Sequence, residues 1–293
     1  MSKLFEYKIT GIIFSVCFSN NGKFMLCSSS DKRIWVWRFP SGEFYKTLNN
    51  FSSSVLAICT SVDDRYIAGV DFDGNVSLWD LRNKFLFKNF SYSQKGSITI
   101  SISSDSKLLA IGDMFYPYKV RLFSIESGDL LTMIGEHESG ISNISFFSNN
   151  RYLVSSSLDS YFEIWDITRG ELVHDFFGHQ GGVNTFDLSS NDSFIISGGS
   201  DDFIKFWDVS RHPRIVKRIS VGESISSIKI SPSNDYFLLA LNTSIELYSI
   251  SNGQIIYRKE SCHNGNINSI NFSPDGQYYL SGGDDQIIKV WYF

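Results

Sequence analysis

The chain has 293 residues, 42% of them hydrophobic and 15% aromatic, with a formal net charge of -5. That apolar content makes a sizeable core available. The negative balance argues against a general nucleic-acid or anionic-membrane binder, and no stretch approaches the roughly 18 uncharged apolar residues of a membrane span.

The leading residues, MSKLFEYKIT, lack the apolar centre of a secretory leader. Four cysteines, Cys17, Cys27, Cys59 and Cys262, show neither paired nor metal-type spacing, which suits reduced thiols in a cytoplasmic or nuclear protein. A hairpin would let Cys17 and Cys27 face each other, but free thiols are the expectation.

Residues 4–9 form a short β-type run that belongs to no complete repeat. Runs at 13–18, 24–27, 34–37 and 44–48 follow, divided by turns rich in Ser, Asn, Asp and Gly. Apolar runs split in this way read as an antiparallel meander, and flat aromatic rings pack well between pleated sheets. The layout then recurs. Anchor aromatics stand at Trp37, Trp79, Phe123, Trp165, Trp207, Tyr248 and Trp291, with spacings of 42, 44, 42, 42, 41 and 43 residues. Seven repeats are expected, with no room for an eighth.

The repeat is clearest at residues 179–208, where His179, Ser197, Asp201 and Trp207 are 18, 4 and 6 residues apart. His137, Ser155, Asp159 and Trp165 keep those spacings, as do His263, Ser281, Asp285 and Trp291. The first repeat has Asp31 and Trp37 but Ile9 and Cys27 at the other two places, and the second has Phe51 and Gly69 there. In the third and sixth, the His, Asp and Trp are all missing. Apolar packing alone is expected to hold those two repeats.

Gly178-His179 opens the fifth repeat and Trp207-Asp208 closes it, while Trp79-Asp80 and Trp165-Asp166 close two others. On these residues, and over nearly all of its length, the chain resembles the WD40 (β-transducin) repeat family, whose units of about 40–45 residues each form one propeller blade. The resemblance implies an all-β fold, a seven-bladed β-propeller with four antiparallel strands per blade, covering 1–293 as one domain. The last repeat lacks an outer strand of its own. Residues 4–9 are therefore expected to supply the outer strand of blade seven, closing the ring and removing two open edges.

A Ser, a His and an Asp at fixed offsets are also the parts of an acyl-transfer triad. Three copies of the set point away from catalysis, as does its obligatory Trp, whose indole N–H can only donate. In WD40 proteins, the resemblance implies, these side chains form a buried hydrogen-bond chain linking outer strands to inner ones. The Asp is placed to orient the imidazole, and the Ser to bridge it to the indole. Buried without partners, each group would cost on the order of 1–3 kcal/mol. Phosphate-loop, HExxH, CxxC and GxSxG motifs are absent. No catalytic residue, metal or cofactor is expected, and His174 and His212 read as surface residues.

Function is then expected on the loop-lined faces, because the strands are committed to packing. By the family's geometry, one face (here the top) carries the loops before the inner strands and the turns between second and third strands. The second position of each inner run gives Phe14, Leu56, Ile98, Ser142, Asn184, Ser226 and Asn268 around the central opening. The residue before each turn Asp gives Ser30, Phe72, Tyr116, Leu158, Ser200, Leu241 and Asp284. Blades one to four thus supply an apolar arc, and blades five to seven mainly Asn, Ser and Asp. The loop at 112–118 adds three aromatics and a Met.

An apolar patch rimmed by polar groups suits a protein or peptide partner. A plugged channel, with the same side chains packed under loops, is the alternative. A second candidate is the basic stretch 211–218, with Arg211, Arg214, Lys217 and Arg218 beside His212. It reads as an edge strand protected by charge, or as a rim for the phosphates of a phosphoinositide or phosphopeptide. Phosphoinositide-binding propellers resemble this fold but carry an FRRG motif, which this sequence lacks. The expectation is a non-catalytic scaffold or peptide-recognition subunit, monomeric within an intracellular complex. Nucleic-acid partners and stable membrane insertion are not expected.

Overall fold

The computed structural model describes residues 2–81, 85–91 and 96–292. Among these, 28 strands assemble into seven four-stranded antiparallel sheets. In six sheets the strands follow one another in chain order from the inner strand outward. The inner strands, Ile13–Phe18 in blade one through Ile267–Phe272 in blade seven, each contact the next around the ring, and the last contacts the first. Among the described residues no helix is long and apolar enough to cross a membrane.

The middle strands are buried on both faces, as in Tyr66–Asp71, so their near-continuous apolar runs are what a strand between two sheets requires. Outer strands such as Glu171–Phe177 alternate exposed and half-buried positions. The anchor aromatics recur for a packing reason. Each lies against the blade before its own: Trp79 sits among Leu26, Ile34 and Val36, and Trp207 among Val154, Phe162 and Ile164. Losing one would open a cavity between two blades.

Closure follows the expected route. Ser2–Lys8 pairs antiparallel with Ile287–Tyr292, becoming the outer strand of the seventh sheet. The strand begins and ends slightly earlier than the apolar pattern suggests, and Ile9 is buried beyond its end. Tyr7 fastens the seam to blade one: its ring stacks on Trp37 at 5.4 Å, and its hydroxyl donates to the Gly42 carbonyl at 2.8 Å.

Two expectations need correction. Cys27 lies opposite Val16 rather than Cys17, and the two thiols join different core clusters on the two faces of their sheet. Blades three and six are not held by apolar packing alone. In blade three, buried Arg121 grips buried Asp113 through two bonds of 3.1 and 2.9 Å. In blade six, the Tyr248 hydroxyl donates to buried Glu246, whose other oxygen pairs with Arg258 at 2.7 Å. Apart from Asp113, these groups differ in type from the recurring His, Ser, Asp and Trp, so a search for the recurring letters passes over them.

Candidate functional site

The polar sets fix what the blades can do chemically. His179 is fully buried, with Nδ1 at 2.6 Å from Asp201 and Nε2 at 2.8 Å from the Ser197 hydroxyl. The Trp207 indole donates to that same hydroxyl at 2.8 Å. Since the Ser197 oxygen receives the indole proton, its own proton goes to Nε2, leaving Nδ1–H for the aspartate. Burial pushes the His179 pKa below its ordinary value, which keeps the imidazole neutral as this chain of donors requires. Blade seven repeats the arrangement with His263, Asp285, Ser281 and Trp291.

Blade four departs from it. His137 meets Asp159 and Ser155, each at 2.9 Å, but the Trp165 indole donates to Glu163 instead of Ser155. Ser155, Ser197 and Ser281 are themselves fully buried, so their hydroxyls are out of reach of a substrate. The sets are therefore suited to rigidity, linking the top loops to the sheets.

At the centre, a cavity of about 390 Å³ is lined by all seven inner strands. Phe14, Leu56, Ile98, Ser142, Asn184, Ser226 and Asn268 all line it. Each falls at a register shift between its strand and the next, so each is the extra residue of a β-bulge. A bulge bends the strand and re-aims a side chain, and here seven of them repeat around one opening.

The opening is two-sided. Phe14, Leu56 and Ile98 give an apolar arc, whereas the opposite arc is tied into hydrogen bonds. Asn184 accepts from Ser200 at 3.1 Å, and Asn268 donates to Asp284 at 2.9 Å and to the Ile13 carbonyl. Deeper in, Lys229 donates to Asp187 at 2.8 Å. Sequence reading passed over this pair because neither residue recurs between repeats.

Phe72, Tyr116, Leu158, Ser200 and Asp284 lie outside the cavity lining, on the turns around its mouth. Phe72, Tyr116 and Leu158 are 42%, 78% and 37% exposed, too open to be core residues. Leu241 is instead fully buried in the core of blade six. The apolar turns lean on the loops that open their own blades. Phe115 lies over Gly96, where a side chain of any other residue would collide with its ring, and Gly96 also adopts φ +80°. Leu158 in turn donates its amide to the Gly140 carbonyl.

The basic stretch does not converge on one pocket. Arg214 pairs with Asp208 at 3.1 Å. Lys217 and Arg218 are consecutive in the outer strand Arg214–Ser220 and lie over different rings, Phe206 and Phe203. His174 and His212 face each other at 5.4 Å nearby.

Comparison with known proteins agrees with this architecture. The family described as "WD domain, G-beta repeat" matches residues 4–38, 42–80, 128–166, 170–208 and 254–292. Most of blades three and six falls outside those segments, the same two blades whose polar groups differ. Autophagy-related protein 16 of Arabidopsis thaliana is 24% identical over 161 residues, covering 55% of this chain and 31% of its own length. Periodic tryptophan protein 2 of the same plant is 23% identical over 155 residues, 52% of this chain and 17% of its own. COMPASS component SWD3 of Saccharomyces cerevisiae is 25% identical over 160 residues, 52% of this chain and 50% of its own. The chain thus spans half or less of the length of these curated relatives. With the repeat matched over most of its length and folded as seven four-stranded blades, the chain belongs to the WD40-repeat family.

Proposed function

We propose that this propeller is a non-catalytic scaffold that recognises a protein or peptide segment through its top face. The observation that carries this reading is the apolar arc of Phe14, Leu56 and Ile98 beside the exposed Phe72, Tyr116 and Leu158, opposite a polar arc around Asn184, Asn268 and Asp284. Aromatic and aliphatic anchors provide binding energy once water is excluded, and the polar side fixes orientation. A rigid ring of sheets presents these groups with little cost of ordering.

A monomeric propeller within a larger cytoplasmic or nuclear assembly goes with this reading, and one relative, SWD3, is a COMPASS component. Asp284 at the mouth and the net charge of -5 favour protein over nucleic acid as the partner. Photocrosslinkers placed at Phe72 and at Tyr116 test the face directly. Partner adducts are expected from both positions and not from Val216 on the outer strand of blade five. Adducts from Val216 alone would refute the reading.

A further inference from the structure

Blades four, five and seven share one polar set, yet differ at a single neighbouring position. Blade five has Lys205 there and blade seven Lys289, whereas blade four has Glu163. In blade five the Lys205 ammonium donates to Asp201 at 2.8 Å and to the Gly178 carbonyl at 2.7 Å. In blade seven Lys289 donates to the equivalent carbonyl, that of Cys262. The corresponding acceptors of blade four belong to Asp159 and Glu136. Both residues line a cavity of about 300 Å³ on the flank of that blade, and no lysine or arginine lines it with them.

The walls of that cavity are acidic, and the Lys119 ammonium beside it is engaged by the Gly135 carbonyl. Glu136, Glu138, Asp159, Glu163 and Asp175 all contribute to its walls. Glu163 stands directly opposite Asp175 across two paired strands, an arrangement of like charges that destabilises a sheet. The other blades avoid two acids at this register. Blade six sets Glu246 opposite Arg258, and blade seven sets Lys289 opposite Glu6. Blade five opposes Lys205 and Arg218, but Asp201 neutralises the lysine.

Glu163 cannot supply the missing cation, and its carboxylate is turned to the Trp165 indole and the Glu136 amide. We propose that this cavity binds the ammonium group of a lysine side chain presented by a partner protein. The sister blades carry the main weight, because in both the acceptor equivalent to Glu136 holds a lysine ammonium. A tethered ammonium also fits better than a bare metal ion, since among the described residues no three ligating groups lie close enough to hold one. The site is on the flank and does not depend on the top-face reading.

The three indole N–H groups provide the test, because Trp165 bonds to the cavity wall while Trp207 and Trp291 sit in sites already filled by their own lysines. N-acetyl-lysinamide is titrated into the isotope-labelled chain and the indole resonances are followed. A saturable shift at Trp165, with Trp207 and Trp291 unmoved, is expected. Glu163→Lys supplies the internal cation of the sister blades and should weaken the response about tenfold or more, the value of one charge-assisted hydrogen bond. Asp175→Asn, which keeps the side-chain size, should weaken it to a smaller extent and carries the test should Glu163→Lys not fold. The proposal is overturned if no indole moves, if all three move alike, or if sodium chloride at equal ionic strength reproduces the shift. It is equally overturned if magnesium chloride acts at lower concentration than the lysine probe, or if neither variant changes the response.

Discussion

Trp165 and Glu163 lie two residues apart on one strand, and the indole of the first donates to the carboxylate of the second at 2.9 Å. The equivalent protons of Trp207 and Trp291 go to Ser197 and Ser281. Ser197 therefore serves two partners, and Ser155 only His137. Ser197→Ala should lower stability by about 1–3 kcal/mol, because it leaves a buried indole N–H unpaired. Ser155→Ala should cost less. Urea unfolding of both variants checks this, and equal losses would contradict it.

Stability should fall with acid in two stages. Burial holds the His179 and His263 pKa values below the ordinary 6.5. The unfolded chain takes up protons near 6.5 while the folded chain resists, so this contribution is complete above 6.5 and is lost as pH falls towards the folded values. Burial alone would raise Asp201 and Asp285, but bonds from their histidine partners, and from Lys205 in the first case, hold both below 3.8. Their contribution is lost only as pH drops below about 4. Melting curves from about pH 8 to 3 should show a first decline beginning near 6.5 and a steeper second one. A flat profile down to about pH 5 would contradict the histidine stage.

In blade three, Arg121→Met would leave the Asp113 carboxylate buried without its main partner, at a cost of about 3–5 kcal/mol. Combining it with Asp113→Leu removes the orphaned charge and should restore most of that loss. Chemical denaturation of the single and double variants decides the matter. A double variant no more stable than the single one would show that packing, not charge, governs this blade.

Most of the fold was legible in the sequence because its cause is periodic. The anchors recur since Trp79, Trp165, Trp207 and Trp291 each fill the same inter-blade gap. What repetition could not show are features unique to one blade. Arg121 with Asp113, and Glu246 with Arg258, replace the common set by groups that meet only across strand pairings. The bulges at Phe14 and its counterparts are also silent in the letters, because a bulge is a mismatch between two strands and neither strand alone records it. Leu241 was misplaced for the same kind of reason: the sixth repeat has no turn Asp from which to count, and the residue belongs to the core.

Ring closure rests on the pairing of Ser2–Lys8 with Ile287–Tyr292 and on the Tyr7 contact with Trp37. Deleting residues 1–9 exposes that strand edge and the buried Ile9, and should lower the melting temperature sharply. Tyr7→Phe keeps the stacking, removes only the bond to Gly42 and should cost about 1 kcal/mol. An unchanged melting temperature in the truncated chain would contradict closure through this strand.

Recognition at the top face is tested most directly by quantitative affinity purification of three proteins: the parent chain, Phe14→Ala with Phe72→Asp, and Lys217→Ala with Arg218→Ala. Both pairs of substitutions fall outside the buried polar sets, so each variant should melt close to the parent. Partners are expected to be lost from the first variant and retained by the second. An unchanged partner set in Phe14→Ala with Phe72→Asp, at the parent melting temperature, would place the interface elsewhere on the propeller.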